Sequence, residues 1–192
     1  MTVMTVLRSR PDAGGGTDTR DDRVLEQLRY VTRPYCIQLD RHERLVRHAT
    51  RGDQVETLEL LLGFYRPIDR GIAAALAPVK NELALQRRVK APLIAQKLSD
   101  LGAKFTALRF HPAPLRSGMS YALGWLYGIE VAALGSPFFD GYGADTHGMW
   151  ERLSNVLAQR IAGDMECAAA REGAVDMLAA LDDWMSLEAL PR

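Results

Sequence analysis

The 192-residue sequence predicts an all-α protein built as a single helical bundle. Three observations carry that expectation. Apolar residues recur at three- and four-residue spacing along most of the chain. Pro, Gly, Thr and Asp stand where helices start and stop. No window shows the apolar–polar alternation, bounded by hairpin turns, that marks a half-buried strand. At about 150 residues per domain the length corresponds to one domain, or one domain with a tail. Hydrophobic residues at 47% and charged residues at 25% are ordinary globular values and exclude wholesale disorder.

Residues 1–20 contain Gly14 to Gly16, Pro11 and several threonines, too little apolar surface to offset ordering, and are expected as a flexible tail; the helical domain is then 21–192. Asp21 and Asp22 sit favourably in a first turn, followed by Val24, Leu25, Leu28 and Val31 at helical spacing. Pro34 removes an amide donor, so this helix stops near Thr32 or kinks and restarts. Thr50 and Asp53 offer caps for a second helix with Val55, Leu58, Leu61, Leu62 and Tyr65 on one stripe, bent or ended at Arg66–Pro67. An apolar run from Ile72 to Leu76 follows. Pro92 suits a first helical turn, and Leu93, Ile94, Leu98 and Leu101 form a stripe closed by Gly102. Pro112 to Pro114 is a loop. A long helix runs from about Ser117 to Gly135, another starts near Asp145 with Trp150, Leu153, Leu157 and Ile161, and Gly163–Asp164 reads as a stop and a fresh cap. The last helix carries Met177, Leu181, Trp184 and Glu188 and ends at Pro191.

Composition also bounds function. Lys+Arg 24 against Asp+Glu 24 gives zero net charge, which argues against nucleic acid and anionic membranes as partners. No apolar stretch is long enough to span a bilayer and no signal-type segment stands out, so the expected compartment is the cytoplasm, with Cys36 and Cys167 as free thiols and one disulfide as the alternative. Two cysteines and four histidines exclude a disulfide scaffold and a Cys-rich zinc site. Any function needing an imidazole has only His42, His48, His111 and His147.

The helix from about 117 to 135 departs from ordinary core behaviour. Gly124, Gly128, Ala132 and Ser136 follow one another at i+4, with Gly135 beside them. An interior glycine costs roughly 1 kcal/mol relative to alanine, so several in one helix require a reason. Small residues on one face admit either a neighbouring helix backbone or a flat ligand. Glu130 is an acid within an apolar run; it is either a buried acid paired with an arginine or a catalytic carboxylate.

The segment from Gly124 to Ser136, GWLYGIEVAALGS, is similar to the distal helix of bacterial haem oxygenases, approximately GxLYVxEGSxLGG. Four more segments resemble that family in the same order. Leu62 to Asp69, LGFYRPID, is similar to its GFYxPLE segment, and Pro92 to Gly102 to its PLxxDLxxLG helix. Phe138 to Gly143 with Trp150 resembles its FFxxYG…W stretch, and Ala168 to Trp184 its last helix. The likeness covers about residues 23 to 186. It implies a haem held between two helices, with a proximal histidine on iron and distal glycines that let backbone lie against the porphyrin.

In the family frame, roughly LRxATxxxHxxLD, this chain has Leu28 to Asp40, LRYVTRPYCIQLD, which puts Cys36 at the iron-ligand position. Arg29 and Arg33 fall where basic residues would face the haem propionates. In the distal helix the family's glycine after the acid is Val131, its distal polar residue is Ala132, Gly135 is kept and Ser136 replaces the next glycine. His42, six residues after Cys36, lies about 240° around a helix, and His48 is about 120° off and roughly 18 Å along, so neither is a register slip. His111 and His147 are more distant in sequence, with His147 the better remaining candidate ligand.

The resemblance therefore implies a haem-oxygenase-like protein that has lost ordinary haem cleavage and uses its pocket, including Gly128, for a tetrapyrrole, another small molecule or a protein partner. One alternative is an active haem oxygenase cleaving haem to biliverdin, CO and iron with Cys36 or a displaced ligand on the metal, the Cys36 thiolate being favoured by Arg29 and Arg33. The other is a cysteine-dependent enzyme pairing Cys36 with a base such as Glu130.

Overall fold

The structure is a computed structural model that describes residues 20–42, 45, 50–103, 109–112, 118–136, 138–139 and 141–187. Among them are six α-helices: α1 (Arg20–Leu39), α2 (Arg51–Ala75), α3 (Ala91–Asp100), α4 (Met119–Gly135), α5 (Thr146–Arg160) and α6 (Asp164–Met185). Short 3-10 turns connect several of them, and no strand occurs among the described residues. The fold is thus an all-α bundle. The expected tail over residues 1–20 lies outside the described residues except for Arg20, where α1 begins, and so does the expected end at Pro191.

Helix α4 is the centre. Every residue from Tyr121 to Val131 is buried, and a helix apolar on all sides must be surrounded by others. Its most extensive neighbour is α6, with α1, α2 and α5 on its remaining sides. Glycine permits the α4–α6 approach: a Cβ on Gly124 would lie 2.0 Å from the Ala170 carbonyl oxygen, and one on Gly173 would lie 2.2 Å from that of Tyr121. Helices α1 and α6 run parallel, since contacts advance together along both. The Cys167 thiol donates to Gln27 Oε1 (3.0 Å), Gln38 Nε2 donates to Asp182 Oδ2 (2.6 Å), and His42 meets Ser186 (3.4 Å). Both cysteines are free.

Several boundaries follow the sequence chemistry. Thr50 and Asp53 form a reciprocal capping box that starts α2. Pro92 stands in the first turn of α3, and Gly102 ends that helix with φ +64°. Helix α6 starts at Asp164, with Gly163 rather than Asp164 as its cap.

Two prolines do not act as stops. Helix α1 continues through Pro34 and α2 through Pro67. A proline at position i leaves the carbonyl of i−4 without its helical donor. For Pro34 that carbonyl belongs to Tyr30, which is 82% exposed and open to water. For Pro67 it belongs to Gly63, and the backbone N–H of His111 donates to it at 3.1 Å. Gly63 makes that approach possible, because a Cβ there would sit 2.1 Å from the Arg109 carbonyl oxygen. Ile72 to Leu76 is consequently the end of α2 and its cap, not a separate element.

Candidate functional site

A cavity of about 50 Å³ opens between α1, α2, α4 and α6. Its buried floor is made by Cys36, Leu39, Leu61, Tyr65, Val131 and Leu181; Asp40, Leu45, Ala132, Ser136 and Phe139, all partly exposed, form its mouth. Sequence reasoning found Cys36, Val131, Ala132 and Ser136. It missed Leu61, Tyr65 and Leu181, whose apolar spacing marks them only as core, Leu39, Asp40 and Phe139, which it noted solely within motifs, and Leu45. Four separated helices converge here, and only tertiary packing joins them.

The Cys36 thiol is neutral. Burial first, then the nearby Asp40 carboxylate, push it up to about 11, and a hydrogen bond with Thr32 opposes this only in part. Arg29 and Arg33 are exposed on α1 and do not line the cavity, so they do not produce the thiolate that their sequence proximity suggests. A neutral buried thiol is a poor nucleophile and a poor metal ligand. Next to it, Tyr127 is buried with its hydroxyl lacking a hydrogen-bond partner among the described residues.

The glycine face of α4 points at protein. A Cβ on Gly128 would meet Met177 Sδ at 3.0 Å and the Ala174 carbonyl oxygen at 3.2 Å, so Gly124 and Gly128 both serve the contact with α6. Val131, fully buried, and the partly exposed Ala132 and Ser136 are what this helix presents to the cavity. Gly135 is the last residue of α4.

Glu130 does not line the cavity; it sits at 2% exposure in a polar cluster behind it. Lys90 Nζ donates to its Oε1 at 3.2 Å, Arg88 Nη1 lies 3.4 Å from its Oε2, and the Tyr142 hydroxyl is 2.7 Å from both oxygens. Arg88 and Lys90 are themselves buried. Arg88 also donates to the carbonyl oxygens of Leu83 (2.7 Å) and Met149. Internal donors therefore occupy Glu130, which matches a paired acid and sets it apart from Cys36. Burial, then Glu130, hold the Tyr142 hydroxyl protonated. Lys90 lies 5.8 Å from the centre of the Phe139 ring, and Phe139 packs edge-on against Tyr65 at 5.7 Å, so these two rings separate cavity from cluster. The signal for this cluster was the acid itself: an acid within an apolar helix demands a cation. Periodicity does not say which cation.

Asp69 completes the polar region by accepting the backbone N–H groups of Lys90 (2.9 Å) and Ala91 (2.8 Å) at the start of α3. Burial raises its carboxyl from 3.8 to about 6, against those two hydrogen bonds and Lys90. The folded protein consequently binds this proton more tightly than the unfolded chain. Between pH 3.8 and about 6 stability falls as pH rises, by roughly 3 kcal/mol at most, and is level above that window. Asp69→Asn keeps an acceptor oxygen and is expected to remove this slope. Denaturation midpoints of both proteins at pH 4 and 6.5 check it, and parallel pH profiles would refute it.

The histidines stand apart from the cavity lining. His42 meets Ser186, His111 packs edge-on between Phe64 and Trp184, and His147 is exposed on α5 beside Glu151 (3.2 Å). His48 lies outside the described residues.

These residues do not fit a haem. About 50 Å³ is well short of the 300 Å³ or more that drug-sized ligands occupy. Cys36, where the resemblance would put an iron-binding imidazole, is a protonated thiol, Gly124 and Gly128 lie against α6, Val131 and Ser136 stand where the resemblance calls for glycine, and no cation among the described lining residues answers a propionate. No helix among the described residues is long and apolar enough to cross a membrane. No family model, curated protein or solved structure matches the chain.

Proposed function

We propose that the chain is a haem-oxygenase-like binding protein that does not cleave haem and whose pocket takes a ligand smaller than a tetrapyrrole. The observation that carries this reading is the cavity between α1 and α4: the position where the resemblance calls for an iron-binding imidazole holds the neutral, buried Cys36. The likeness of Leu62 to Asp69, Gly124 to Ser136 and Phe138 to Gly143 to the haem oxygenases supports the relationship, and these three segments contribute Tyr65, Val131 and Phe139 to one pocket. Loss of the imidazole, and of small residues where Val131 stands, supports loss of the chemistry. A small-molecule ligand is favoured over a protein partner because the feature is concave and mostly apolar.

Hemin titration followed by absorbance tests this directly. The expected result is no histidine-type Soret band at stoichiometric hemin and no biliverdin after adding a reductant. A stoichiometric complex that turns over to biliverdin would overturn the reading. Cys36→His separates the contributions: if the missing imidazole were the sole obstacle, this variant would bind hemin tightly, whereas the small cavity and the Gly124 and Gly128 contacts predict that it does not.

A further inference from the structure

Resting on the small-ligand reading above, we infer that the cavity selects a compact organic cation, an alkyl ammonium whose chain enters the apolar floor and whose head pairs with Asp40. Asp40 is the only charged side chain among the described residues that line the cavity. It has no ion pair or hydrogen bond from its side chain to any described residue, and burial alone raises its carboxyl, with no cation or donor acting to lower it. A half-buried carboxylate left without a counter-charge at the mouth of an apolar cavity is complementary to a positive group brought by a ligand.

The rest of the wall agrees in chemistry and in depth. Leu61, Val131 and Leu181 offer the floor only hydrocarbon. Tyr65 and Phe139 present aromatic rings, whose faces attract cations. Cys36 and Tyr65 are held neutral, so neither repels a cation or attracts one by charge. The two buried cations nearest the site, Arg88 and Lys90, are turned to Glu130 behind the Phe139 ring. A carboxylate ligand would meet Asp40 with no compensating cation. The volume of about 50 Å³ admits a short unbranched chain with its polar head left at the mouth, not a fused ring system.

Three probes of one length separate charge from shape: n-butylamine, 1-butanol and butyrate, titrated at neutral pH while amide and methyl resonances are followed by NMR. The expected order is butylamine tightest, 1-butanol about tenfold weaker and butyrate not bound, with shifts centred on Val131, Ala132 and Leu181. Asp40→Asn is expected to weaken butylamine about tenfold while leaving 1-butanol unchanged, and this unchanged alcohol affinity shows that the pocket is intact. Ala132→Phe, which fills the mouth, is expected to abolish both. Butyrate binding as well as butylamine, or butylamine affinity indifferent to Asp40→Asn, would overturn the assignment while the small-ligand reading survives. Failure of all three probes would overturn it as well. Stoichiometric hemin binding with turnover would instead overturn the reading on which it rests.

Discussion

Gly124→Ala is expected to destabilise the protein by about 3 kcal/mol or more, although alanine is the better helix former by roughly 1 kcal/mol. The new methyl would lie 2.0 Å from the Ala170 carbonyl oxygen, 2.8 Å from its carbonyl carbon and 2.9 Å from the Ala174 nitrogen. All three are backbone atoms of α6, so no side chain can turn aside and the two helices must separate along the largest interface in the bundle. Gly128→Ala is the internal control. Its nearest obstacle is Met177 Sδ at 3.0 Å, the movable end of a flexible side chain, so the cost is expected at about 1 kcal/mol. Urea denaturation of the three proteins measures both. Equal losses, or a neutral Gly124→Ala, would mean that the small-residue face is not what holds α4 against α6. This pair also separates the two roles that glycines in such a helix can serve, because a face kept bare for a ligand would tolerate a methyl without loss of stability.

Glu130→Gln is expected to cost about 3–5 kcal/mol, because it leaves Arg88 and Lys90 buried without their anion. The two cations differ in what remains to them. Arg88 keeps the carbonyl oxygens of Leu83 and Met149, while Lys90 keeps an uncharged amide oxygen in place of the carboxylate, the Tyr142 hydroxyl at 3.2 Å and the faces of two aromatic rings. Lys90→Met in the Glu130→Gln background is therefore expected to restore part of the loss, so that the double variant is more stable than the sum of the single changes by 1 kcal/mol or more, on the order of coupling energies between touching residues. Denaturation of the four proteins of this cycle gives the coupling. A Glu130→Gln protein within about 0.5 kcal/mol of the parent, the range of ordinary surface substitutions, would show that the acid is not the organising charge of the cluster.

Much of the fold was legible because its signals are local. A capping box needs only Thr50 and Asp53, a first-turn proline only Pro92, and a left-handed helix end only Gly102. The continuous burial of α4 was legible in a run of apolar and small residues with one acid. The prolines left two outcomes open for a physical reason. Whether Pro67 ends a helix depends on whether the Gly63 carbonyl finds another donor, and that donor is the amide of His111, far along the chain.

The candidate site was legible in part, and its divisions follow the same line. Periodicity placed Gly128 and Ala132 on one face, yet Gly128 meets α6 and Ala132 meets the cavity, because the neighbours of a helix change along its length. Arg29 and Arg33 suggested a thiolate at Cys36 by proximity in sequence. Solvent screens both, and desolvation dominates the thiol instead.

The sequence by itself determined the all-α class, the helix-starting chemistry and the presence of a lone acid in an apolar helix. These are properties of residue type and spacing within one turn or one helix. Tertiary structure alone decided that Pro67 is bridged by the His111 amide, that Gly124 and Gly128 are spent on α6, that Glu130 is occupied by Arg88, Lys90 and Tyr142, and that Asp40 is the one charge among the described residues lining a small apolar cavity. Each of these is a meeting of groups distant in the chain, and burial sets its energy: removing water makes a paired charge structural and an unpaired one available to a ligand.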